Sequence, residues 1–131
     1  MRSTYAVALG VLFGIAVGAT AIKGLNAQGT PPAYVVIDIS EMTDPDGFNR
    51  VLTANNAAST AEMAALGGHY VVRTTTTTVL DGTPPKRLVV IAFDSKEKAE
   101  AWHDSPKTKE ISAARLRTTK SSAFIVEGFA N

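Results

Sequence analysis

The 131-residue chain carries 13 Lys and Arg against 12 Asp and Glu, a formal net charge of +1, and 45% of it is hydrophobic. Such near-neutrality leaves no basic face broad enough to follow a phosphate backbone, so nucleic acid is not expected as a partner. The absence of cysteine excludes structural disulfides, thiolate nucleophiles and cysteine-ligated zinc together.

Met1-Arg2 supplies a short positive start, and Tyr5 to Ile22 runs without a charge over a length near the lower limit for spanning a bilayer. Residues 1–27 therefore read as a signal peptide or a membrane anchor, residues 28–32 as a linker and residues 33–131 as the folded domain. Ala19-Thr20-Ala21 and Ala27 before Gln28 are the two places where a signal peptidase could cut. Gly10, Gly14 and Gly18 recur at the spacing that lets transmembrane helices approach closely, or they simply keep a signal sequence moderately apolar. The domain is expected to be periplasmic or secreted, or else anchored to the cytoplasmic membrane through residues 5–22.

Past the Gly- and Pro-containing linker, Ala33 to Ser40 alternates, with Val35, Ile37 and Ile39 on one face and Tyr34, Val36 and Asp38 on the other, as a first strand does. Asp44-Pro45-Asp46 opens a helix: Asp44 can accept amide hydrogen bonds, Pro45 suits the first helical position and Asp46 favours the positive end of the dipole. This helix runs to about Leu66 and stops at Gly67-Gly68, suited to a left-handed cap. Its apolar stripe of Phe48, Val51, Leu52, Met63 and Leu66 is shared with Asn55 and Glu62.

His69 to Thr78 reads as a second strand, Tyr70 and Val72 on one side and His69, Val71 and Arg73 on the other, with a threonine run suited to a solvated edge. Asp81-Gly82 and Pro84-Pro85 turn the chain into Leu88–Phe93, an apolar run too short for a typical helix and read as the buried central strand. Asp94, with Glu97 three residues on, can cap the helix that brings Trp102 back against that strand. Ser105-Pro106 interrupts and restarts it, and the new segment turns Ile111, Ala114 and Leu116 inward. Ser121 to Gly128 closes the chain as a last strand, Phe124 and Val126 opposing Ile125 and Glu127.

The order β-α-β-β-α-β predicts an α+β, ferredoxin-like fold: a four-stranded antiparallel sheet with two helices on one face, preceded by an N-terminal apolar helix. On the uncovered face Val36, Val71, Val90 and Ile125 would leave an apolar patch, which predicts a homodimer with the two sheets facing each other.

Several segments together resemble a known family. Asp44-Pro45-Asp46-Gly47-Phe48, Gly67-Gly68-His69-Tyr70 with Arg73, Arg87 at the start of the third strand, Ala101-Trp102-His103-Asp104-Ser105-Pro106 and the closing Val126-Glu127-Gly128 are similar to domain of unknown function 1330 over about Ala33 to Gly128. The resemblance implies a dimeric α/β-barrel related to cofactor-independent monooxygenases and small-molecule-binding domains, with no established reaction of its own.

Four polar residues are assigned to the uncovered sheet face: Asp38, His69, Arg73 and Glu127. Such groups under a partner must pair or lose their charge. They form either a structural set of ion pairs or a site in which His69 is the general base, Asp38 or Glu127 orients it, and Arg73 binds an anionic or enolic oxygen. Trp102 and Arg87 are further substrate-binding candidates and Arg87 and Arg115 could bind an anion, although Trp102 reads as a core residue and each arginine as the partner of a surface carboxylate. His69 and His103 occur in no H-x-x-x-H or H-x-H pattern, no Gly-rich loop precedes a helix and no G-x-S-x-G is present, so no metal and no cofactor are expected. The expectation is an exported homodimer that binds a small molecule or is structural, or alternatively a cofactor-independent oxidoreductase, monooxygenase or isomerase using His69.

Overall fold

The computed structural model describes residues 30–130, and Pro32–Phe129 form a compact unit. The expected signal, anchor or apolar helix over residues 5–22, and both cleavage positions, lie outside the described residues. Among the described residues no helix is long and apolar enough to cross a membrane.

The elements are β1 (Ala33–Met42), α1 (Pro45–Ala65), β2 (His69–Thr74), β3 (Arg87–Phe93), α2 (Lys96–His103), α3 (Pro106–Thr118) and β4 (Thr119–Glu127). All neighbouring strands are antiparallel, in the order β2-β3-β1-β4. The second crossover is two helices where one interrupted helix is expected, because Pro106 cannot donate into a continuing ladder and begins a new segment.

Pairing fixes which side chains share a face. Val35 lies between Ile91 and Ile125, and Ile37 between Val89 and Ala123. With Ala33 and Phe93 this face meets Met63 of α1 and Ala99 and Trp102 of α2 in one buried cluster. Trp102 stacks obliquely on Phe93, with ring centroids 5.8 Å apart, and burying each such aromatic stabilises the fold by about 1.5–3 kcal/mol. Gly68 brings the chain so close to this cluster that an added Cβ would lie 2.8 Å from Met63 Cγ and closer still to the Phe93 ring.

The opposite face carries Tyr34, Val36, Leu88, Val90, Phe124 and Val126 in the same register. Phe124 remains 48% and Val126 41% exposed. This corrects the expected patch at one of its members, since Ile125 pairs with Val35 and so faces the helices. Val71 stays exposed, at a bulge between Tyr70 and Val72. A bulge puts two residues opposite one and so reverses the alternation beyond it.

Local hydrogen bonds account for the remaining differences. Asp44 caps α1 by accepting from the Gly47 amide at 3.0 Å. The cap of α2 is Ser95, which accepts from the Lys98 amide at 3.3 Å; Asp94, the expected cap, instead pairs with Lys98 Nζ at 3.2 Å. Ser105 makes no side-chain cap bond to α3, because its hydroxyl donates to the Trp102 carbonyl. The Lys107 amide donates to Glu62 Oε1 of α1 at 3.2 Å, so a neighbouring helix supplies the missing cap. β2 ends at Thr74, four residues short of the expected Thr78, where the Thr76 amide donates to Thr74 Oγ1 at 2.9 Å and closes a turn. Leu116 is exposed, and Ala114 and Arg115 are the buried residues of that turn of α3.

Candidate functional site

A cavity of about 80 Å3 lies between the helix-facing side of the sheet and the helices. Val35, Ile37, Ile39, Val89 and Ile91 form its floor, and Phe48, Leu52, Trp102 and Ile111 contribute apolar walls from the helices. Its polar lining is Asn56, Ser59, Tyr70, Arg73, Arg87, His103, Thr108, Ser112 and Arg115. Among these described lining residues there is no aspartate or glutamate.

Two helix residues with short side chains help leave this space. Ser59 and Thr108 sit where larger residues would fill the seam between α1 and α3, and their hydroxyls lie 2.7 Å apart in a buried hydrogen bond. The Ser59 carbonyl accepts from Trp102 Nε1 at 3.1 Å, which satisfies the indole N–H and fixes the ring as a wall.

The arginines gather towards one end. Arg73 pairs with Val89 of β3, and Arg87 is two residues further along that strand, opposite Ile39; such diagonal neighbours are about 7–8 Å apart. Ile39 is flanked on its other side by Ser121, whose Oγ accepts from Arg115 Nη1 at 2.8 Å. The hydroxyl protons are already assigned around that oxygen. Thr119 Oγ1 donates to the Arg115 carbonyl at 2.6 Å and lies 2.9 Å from Ser121 Oγ. Ser121 therefore donates to Thr119 and keeps its lone pairs for the guanidinium.

Arg115 is 6% exposed, and burial pushes its guanidinium below the ordinary arginine range. No ion pair to Arg73, Arg87 or Arg115 occurs among the described residues. A buried charge without a counter-charge costs several kcal/mol. Arg73 is exposed and lies 5.0 Å from the centroid of the Tyr70 ring, on the same side of the sheet.

The expected set of Asp38, His69, Arg73 and Glu127 does not converge. The β2 bulge carries Arg73 to the helix-facing side, and Glu127, opposite Ala33, belongs to that side too but at the far end of the sheet. Only Asp38 and His69 remain on the open face. His69 aligns with Ala92 and Tyr34, and Asp38 is four residues beyond Tyr34, about 13 Å along the strand. Among the described residues of the single chain no ion pair joins any two of the four. Arg73, Arg87 and Trp102 line the cavity; Asp38, His69 and Glu127 do not. His103 takes the position at the cavity that His69 lacks, its Nδ1 3.3 Å from Asp104 Oδ1.

Chemically, the arginines can bind and orient an anion and stabilise developing negative charge. His103 is the lining residue whose imidazole can either accept or donate a proton. Among the described residues no cluster of three or more His, Asp or Glu is placed to hold a metal. Ser59 escaped the sequence reading, and Arg115 was expected at the surface, because a polar residue at a buried helical position looks like surface until the helix has a partner.

Comparison with known proteins gives the fold its relatives. The family described as Domain of unknown function (DUF1330) matches residues 32–129. No curated protein matches the sequence. Among solved structures, the chain is similar to RPA0582, a protein of unknown function from Rhodopseudomonas palustris, with a TM-score of 0.57 at 15% identity over 77% of this chain and 85% of that one. A dimeric ferredoxin-like protein of unknown function from Thermobifida fusca gives a TM-score of 0.54 at 17% identity, over 75% of this chain and 92% of that one. SnoaB, a cofactor-independent oxygenase from Streptomyces nogalater, gives 0.50 at 14% identity, over 78% and 97% of the two chains. At these identities the likeness is one of fold.

Proposed function

Because the chain belongs to the DUF1330 family across residues 32–129, we propose that it is a homodimeric domain that binds a small molecule between its sheet and its helices. The carrying observation is the cavity itself, an opening among otherwise packed side chains, apolar on most sides and polar at one end. Binding sites combine those two properties, an apolar lining for affinity and a few placed polar groups for orientation. Its 80 Å3 falls well below the roughly 300 Å3 at which drug-sized ligands begin to fit. The ligand is therefore small.

Dimerisation rests on the open sheet face, where Tyr34, Val36, Leu88, Val90, Phe124 and Val126 form a continuous apolar layer that a second copy would cover. The Thermobifida fusca relative in fold, described as dimeric, supports that reading. Export is part of the proposal, supported by the uncharged Tyr5–Ile22 stretch, with the domain periplasmic, secreted or held at the cytoplasmic membrane.

A second reading, cofactor-independent oxidoreductase or isomerase chemistry, is favoured by one observation: His103 lines the cavity with Asp104 beside its Nδ1. The general base is then His103 in place of His69, with Asp104 orienting it. Likeness to an oxygenase fold supports it without naming a substrate.

Two adjacent substitutions test the binding reading. Ala123 lines the cavity, opposite Ile37, while Ser122 faces the other way, opposite Asp38. In a thermal-shift screen of small organic molecules, hits on the wild type should lose their effect in Ala123→Phe and keep it in Ser122→Phe. Hits unaffected by Ala123→Phe would place binding elsewhere.

A further inference from the structure

We infer that the ligand is a compact carboxylate with a short apolar tail, its carboxylate held by Arg87 and Arg115 and its tail lying towards Trp102. This rests on the reading that the cavity is a binding site and adds the class of molecule it takes.

Charge is the first argument. Arg115 is 6% exposed and donates to a neutral hydroxyl, Ser121 Oγ, with no carboxylate lining the space in front of it among the described residues. Buried charges in folded proteins are paired, and here the missing partner has room to enter from outside. Arg87 and Arg73 reinforce the same demand from β3 and β2, since register gathers them beside Ile39 and Val89 at the end where Ser121 holds Arg115. Guanidinium groups present paired donors that match the two oxygens of a carboxylate.

Shape is the second argument. Away from the arginines the floor and wall are Val35, Ile91 and Trp102, which an inorganic anion would leave wetted and unused. A cavity of 80 Å3, well below the size that drug-sized ligands need, suits a carboxylate and a few carbons.

Propionate, its neutral counterpart propionamide and inorganic phosphate separate the possibilities when titrated into the full chain at one ionic strength. Trp102 is the sole tryptophan, so its fluorescence reports on the cavity, and the melting temperature reports on binding overall. Propionate should bind about tenfold or more tightly than propionamide, as charge-assisted hydrogen bonds imply, and Arg87→Met and Arg115→Met should each abolish that preference. Equal binding of propionate and propionamide would overturn the carboxylate assignment while leaving the cavity a binding site. Binding of phosphate without propionate would overturn the assignment as well. Were none of the three to bind, the assignment and the binding reading would fall together.

Discussion

Arg115 concentrates the problem at the scale of one residue. On α3 the buried positions are Thr108, Ala114, Arg115 and Thr118, a face that alternates polar and small residues and so gives no hydrophobic period to read. Leu116, the apolar neighbour that a sequence reading turns inward, points to solvent and is 67% exposed. The guanidinium is buried because Ser121, Thr119 and the cavity receive it, and those contacts exist only after β4 has paired with β1. Removing the charge should relieve its desolvation, since a buried charge without a counter-charge weakens a fold. Arg115→Met should therefore raise the unfolding free energy of the ligand-free protein by about 1–3 kcal/mol, measured by urea denaturation. A loss of stability of that size would make Arg115 a structural member of the core.

At the scale of elements, the strands and helices were legible and their phases were not. Asp44-Pro45 marked the start of α1 and Gly67-Gly68 its end, because caps and stops are local chemistry. The Tyr70–Arg73 stretch looked regular, yet pairing with β3 inserts a bulge after Tyr70 and moves Arg73 to the other face. β4 is apolar on both sides, so nothing in its own residues decides whether Phe124 or Ile125 faces the helices; Val35 and Val36 decide it. Contacts between elements also supply the cap of α3. Ser105, and then the Lys107 and Thr108 amides, favour the charged form of the Glu62 carboxyl and hold it below its ordinary range against the opposing effect of burial. A depressed carboxylate stabilises the fold above its unfolded pKa and loses that contribution as pH falls through the folded value. Glu62→Gln should accordingly melt below the wild type at neutral pH, and the gap should close as pH falls below about 4. A gap independent of pH would show that the charge of Glu62 contributes nothing.

For the whole molecule, the two faces of one sheet divide the work. The helix-facing side encloses a cavity with a cationic end, and the open side exposes an apolar layer that includes Phe124 and Val126. Sedimentation should find the wild type dimeric at micromolar concentration and Phe124→Asp monomeric, because a charge within that layer cannot be buried against its copy. This division was only half visible beforehand. The apolar open face followed from alternation along β1 and β3, whereas the site was expected on that same face because alternation assigned Asp38, His69, Arg73 and Glu127 to it, and pairing leaves only Asp38 and His69 there.

Neighbouring residues of single strands point to opposite faces, so one measurement separates the two locations. In methyl correlation spectra of the full chain titrated with propionate, and in parallel with propionamide, Ile37, Val89 and Ile91 should shift progressively while Val36 and Val90 stay in place. Shifts at Val36 and Val90 with Ile37, Val89 and Ile91 unmoved would put the ligand on the open face and contradict a site beneath the helices.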